Sequence, residues 1–204
     1  TVKVEFELLP VDGISNSLMI MRQSTDLSGL GSWVVETWYA LSEERRRTHL
    51  LVFDVLYAGV EFEVRPPDYP SYLDFIREMD PQDIVERILN RFEMKCEHSG
   101  VAIERETVLG SKDDYLQTVQ DAFGPHYTKK GLELDLQPYK DAHPLFSQPE
   151  KLHATIVEHL EYMWETHMRD EWNRNLPMLE ECIAAYKQQD YSSMTALEAV
   201  RSVT

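Results

Sequence analysis

The chain has 204 residues, 43% of them hydrophobic, enough for one full-sized domain, or at most two small ones, with a large core. Its 20 Lys and Arg stand against 36 Asp and Glu, a formal net charge of −16, and the halves 1–102 and 103–204 each hold 10 basic and 18 acidic residues. Acidity this even sets no basic face against an acidic one and argues against DNA binding by these residues, no apolar run approaches the roughly 20 residues of a membrane span, and Cys96 and Cys182 form neither a disulfide framework nor a Cys-rich metal site, so the expected setting is reduced and cytoplasmic.

The opening alternates Val2, Val4, Phe6 and Leu8 against Lys3, Glu5 and Glu7 and stops at Pro10, the pattern of a half-buried strand. A weaker alternation, Val60, Phe62 and Val64 against Glu61 and Glu63, precedes Pro66-Pro67 and predicts a second short strand or the frayed end of a helix. Two short strands make no stable sheet alone. The first is expected to pair with the second, with a dimer mate, or with strands beyond residue 204.

The remainder reads as helix. Ser42, followed by Glu43 and Glu44, opens a segment whose run Leu50 to Tyr57 is too continuously apolar for a surface helix and is expected to be buried. Tyr69-Pro70-Ser71 starts a short helix through Met79. Asp80-Pro81-Gln82-Asp83 starts another, with a capping acid and proline at the first helical position, running to about Glu97. Ser111 starts a helix to Phe123, where Gly124-Pro125 is expected to stop it. Ser147-Gln148-Pro149-Glu150 repeats the capping signature.

A single apolar stripe follows: Leu152, Ile156, Leu160, Trp164, Met168, Trp172, Leu176, Leu179, Ile183 and Tyr186, about 50 Å of helix at 1.5 Å per residue. Pro177 is expected to kink it or divide it. The fold expected is therefore a mainly α, multi-helix bundle in one domain over 1–204, with a short N-terminal β-strand or small two-stranded element and a long C-terminal helix kinked near Pro177.

Reactive residue types gather in the last helix, where His167 and Glu171 stand at i and i+4, a spacing that presents two ligands on one face. The next histidines upstream, His159 and His153, stretch the set over about 21 Å, too far for one ion. A metal-dependent or carboxylate-based enzyme using His167 and Glu171 is the alternative reading, and a stand-alone protein-interaction module a further one. There is no G-x-S-x-G, no H-E-x-x-H and no Gly-rich phosphate loop. Cys96 lies beside Glu93 and Glu97, which raise a thiol pKa and blunt its reactivity. No catalytic residue, metal ligand or cofactor is expected. His159 is read as a buried, hydrogen-bonded core histidine, and Arg45-Arg46-Arg47 as a solvated turn with local ion pairs.

The aromatic and methionine content offers more. Trp33, Trp38 and Tyr39 crowd one segment, and Tyr162, Met163, Trp164, Met168 and Trp172 another. These eight are expected to fill the core, to form an interface, or to line an effector pocket between helices.

The opening V-x-F-x-L pattern, the segment Pro70 to Pro81 (PSYLDFIREMDP) and the late L-x-x-M-W-E-T-H-x-x-x-E-W-x-R-x-L-P-x-L-E-E signature from Leu160 to Glu181 together resemble the long N-terminal region of bacterial ArsR-like winged-helix transcriptional regulators. The resemblance covers essentially the whole chain. It implies a sensor and dimerisation domain, with a small-molecule effector and DNA contacted only through a C-terminal winged helix absent from this chain. The cysteine metal motif of that family lies on the winged helix, so metal sensing does not carry over.

Overall fold

The computed structural model describes residues 5–22, 32–62 and 66–188, with Tyr191, Met194, Thr195 and Glu198 beyond them. Every regular element among these residues is helical and none is a β-strand, giving the mainly α bundle that the patterning predicts.

The expected N-terminal strand is not supported. Residues 5–9 take no part in a ladder, and residues 1–4 lie outside the described residues. Pro10 takes the first position of α1 (Pro10–Met21), and Phe6 packs its ring on Tyr186 and Tyr191 at centroid distances of 5.3 and 5.5 Å. The second alternation also forms no strand where it is described. Its backbone acceptors are taken by side chains: Tyr72 donates its hydroxyl to the Val60 carbonyl at 2.7 Å, and Arg87 donates to the carbonyls of Gly59 and Glu61 at 3.0 and 2.6 Å. Three consecutive carbonyls are thus engaged by side chains rather than by a neighbouring strand.

The helix starts follow local chemistry. Between α2 (Ser32–Ala40) and α3 (Glu43–Leu51) the Ser42 hydroxyl accepts from the Arg45 amide. Asp68 caps α4 (Tyr69–Arg77), Asp80 caps α5 (Pro81–His98), and Ser111, after the short α6 (Arg105–Gly110), caps α7 (Lys112–Lys129). Ser147 does not cap the next long helix, because its hydroxyl donates to the Pro144 carbonyl and Gln148 holds the capping position.

Gly124-Pro125 does not stop α7, which runs on to Lys129. Proline forfeits one backbone bond there, while Thr128 turns its hydroxyl onto the Gly124 carbonyl. The real stop is Gly131, at φ +71°, where the Leu132 amide reaches back to the Tyr127 carbonyl at 3.0 Å. Gly100 ends α5 in the same way, at φ +78°, with Val101 bonded to Cys96.

After α8 (Gln137–Ala142), α9 (Pro149–Met163) forms the central spine, with Leu152, Ile156, Leu160 and Met163 fully buried. The helices α3, α4 and α5 and the turn after α3 pack on it. A π-helical turn, Trp164–Met168, joins α9 to α10 (Arg169–Lys187). The irregularity in the long helix therefore falls thirteen residues before Pro177, and α10 continues through that proline. Apolar steps of four over-rotate an α-helix by about 40° each, and a wider i→i+5 turn absorbs this drift, keeping Trp164 and Met168 buried. A second π-helical turn, Val52–Leu56, extends α3 and buries the apolar run, as its composition predicts.

Candidate ligand-binding cleft

A cleft of about 610 Å³ opens between the end of α1, the π-helical turn after α3, the last turns of α5, the second half of α7, and α8. Its size is that of a small-molecule site. Arg22, at the C-cap of α1, reaches in and donates to the Asp54 carboxylate at 2.9 Å and to the Phe53 carbonyl at 3.4 Å. Burial raises the Asp54 carboxyl pKa, with Arg22 opposing. The phenols of Tyr127 and Tyr139, which line the same side, are raised by burial and then by Asp54, so both stand as neutral hydroxyls at neutral pH.

The opposite wall is one face of α5. Arg91 and Lys95, four residues apart, both line the cleft, with Met94 beside them. Burial lowers the Lys95 pKa first, followed by the positive charges of Arg91 and Arg22, with Glu61 and Asp54 opposing. Ala122 and Phe123 of α7 supply apolar surface. Behind them a hollow of about 40 Å³ shares Asp54, Arg91, Lys95, Phe123 and Tyr139 with the cleft and is closed by aromatic packing, with Phe92 against Tyr115 at 5.4 Å and Phe123 at 6.0 Å. The site thus joins two cations that form no direct ion pair, Arg91 and Lys95, to an apolar depth. Among the described residues that line it, no nucleophile is hydrogen-bonded to a base.

None of the eight aromatic and methionine residues read from the sequence lines this cleft. Met163, Trp164 and Met168 are buried in the core, Trp164 against Tyr69 at 5.2 Å. Trp33, Trp38, Tyr162 and Trp172 are partly buried against that core, and Tyr39 is exposed. Tyr162 carries the Arg45 guanidinium at 4.0 Å, Arg46 lies over Trp38, and Arg47 pairs with Asp141. The arginine run thus reaches rings and a distant acid rather than Glu43 and Glu44. Trp172 faces α1, where a Cβ on Gly13 would come within 3.2 Å of its ring.

His167 lies 3.4 Å from the Tyr162 hydroxyl, and Glu171 binds Arg174 and Asn175. Among the described residues no three His, Cys, Asp or Glu side chains converge as a metal site. The Cys96 thiol is pushed up to about 11, by burial first and Glu93 second.

A buried histidine pair sits at the meeting of α1, α3 and α9. His49 Nε2 donates to the Leu18 carbonyl at 2.9 Å, and His159 Nε2 lies 3.1 Å from His49 Nδ1. Both rings are essentially inaccessible, and His159 Nδ1 has no partner. Burial lowers His49 to about 4. Burial, then His49, lowers His159 to about 2.

The sequence marks His159 but carries no signal for its partner 110 residues away. Arg87, Arg91 and Lys95, a basic ladder at steps of four on a predicted helix of a chain at −16, are the sequence signal for the cleft. Comparison with family models, curated proteins and solved structures finds no match to this chain.

Proposed function

We propose that the chain is the ligand-sensing and dimerisation domain of a bacterial ArsR-like transcriptional regulator, non-catalytic and cytoplasmic, with the cleft between α5 and α7 as its effector site. Ligand binding is carried by one observation: a cleft of about 610 Å³ that combines Arg91 and Lys95 with apolar surface. The link to transcription is carried by the sequence motifs at Pro70–Pro81 and Leu160–Glu181. DNA contact belongs to a winged helix outside these residues, because a chain at −16 repels duplex DNA. Dimerisation with a second copy is supported by α10, none of whose residues is buried and whose Leu176, Leu179 and Ile183 form a half-exposed stripe.

A thermal-shift screen of metabolite-sized acids, bases and neutral compounds tests the reading. A ligand at 100 times its Kd stabilises by about 2.7 kcal/mol, and the shift is expected to vanish in Ala122→Phe. The same ligand is expected to change the DNA affinity of the protein carrying its winged helix, while the 204 residues alone leave duplex DNA unbound. Hits indifferent to Ala122→Phe, or salt-sensitive DNA binding by the chain alone, would contradict it.

A further inference from the structure

We infer that the cleft takes a small organic anion with an apolar or aromatic body, its acid group held by Arg91 and Lys95. The inference rests on the cleft being the ligand site and names what that site selects.

The first support is the fate of the other arginines. Arg22, Arg47, Arg77, Arg105, Arg169 and Arg174 each pair with a carboxylate. Arg45, Arg46 and Arg87 lie over aromatic rings, and the last two also bind backbone carbonyls. Arg91 and Lys95 have no hydrogen-bond or ion-pair partner among the described residues. In a chain with 36 acids, two adjacent cations that form no direct ion pair, with Asp54 of the same cleft already bonded to Arg22 and acting on Lys95, as Glu61 does, only through space, mark a place kept for an acid from outside.

The second support is the cost of the arrangement. Like charges at i and i+4 destabilise a helix, and here Arg22 adds a third cation to the same cleft. Lys95 has a structural use in the last turn of α5, where a cation suits the helix dipole. Arg91, a turn earlier, has none. A bound carboxylate or sulfonate would take charge-assisted bonds from both, and its body would meet Met94, Ala122 and Phe123. An inorganic ion would leave that apolar surface unused.

The test uses a matched pair of probes, 8-anilinonaphthalene-1-sulfonate and its neutral counterpart N-phenyl-1-naphthylamine, each titrated by fluorescence at low and high salt. The sulfonate is expected to bind at one per chain, to weaken with salt, and to lose about tenfold or more in affinity in Arg91→Gln/Lys95→Gln. That variant should keep its affinity for the neutral probe. Ala122→Phe, or Met94→Trp at the exposed rim should Ala122→Phe not fold, is expected to weaken both probes. Equal binding of the two probes, or undiminished sulfonate binding by Arg91→Gln/Lys95→Gln, overturns the anion inference and leaves the cleft standing. Binding indifferent to the blocking variants, or no stoichiometric binding of either probe, overturns both.

Discussion

His49 and His159 show how much one buried contact fixes. A neutral imidazole has a single N–H. With His49 Nε2–H given to Leu18, His49 Nδ1 is an acceptor, so His159 donates through Nε2 and its Nδ1 is left bare in the core. Both rings hold folded pKa values below the 6.5 of free imidazole. Below pH 6.5 the unfolded chain therefore binds protons that the native chain refuses, and stability is full above that pH and falls as pH drops toward 4. At pH 5 the loss is about 2 kcal/mol per histidine. Urea midpoints between pH 7.5 and 5 are expected to fall steeply in the wild type and less steeply in His49→Phe/His159→Phe. Parallel slopes would show that the pair does not titrate this way.

Among the elements, α5 and the 3-10 turn Tyr57–Gly59 approach closely enough to require a glycine. A Cβ on Gly59 would stand 2.7 Å from Ile84 Cγ2 and 2.9 Å from the Ile84 carbonyl oxygen. Backbone cannot yield as a side-chain tip can, so Gly59→Ala is expected to cost about 1–3 kcal/mol in urea unfolding. A neutral effect would mean that α5 and the turn stand further apart.

Elements governed by neighbours in sequence were legible: Ser42, Asp80 and Ser111 cap the helices they announce, and the stripe from Leu152 to Met168 faces the core. What depends on distant partners was not. The segment at Val60 is denied a ladder by Tyr72 and Arg87. The drift of the long stripe is absorbed at Trp164–Met168, where no proline or glycine marks the turn. The cleft is assembled from five elements separated along the chain, and Arg91 is distinctive there because every other described arginine has an acid or ring partner elsewhere in the fold.

At the scale of the whole molecule, two features pull apart. The chain is uniformly acidic, so long-range forces turn anions away beyond the Debye length of about 8 to 10 Å. Within the cleft, Arg91 and Lys95 reverse that sign locally. An anion is thus selected by fit and short-range bonds rather than steered in. Meanwhile the aromatic and methionine residues that resemble a pocket in the sequence, the exposed Tyr39 apart, pack in or against the core, with Met163 and Met168 closed off in it and Met94 exposed at the cleft. Methyl-labelled methionine NMR separates these regions in one titration with 8-anilinonaphthalene-1-sulfonate. The account predicts that the Met94 methyl shifts saturably at one equivalent while Met163 and Met168 stay in place. Shifts at Met163 and Met168 with Met94 unmoved would return the ligand site to the aromatic face of α9 and contradict the cleft.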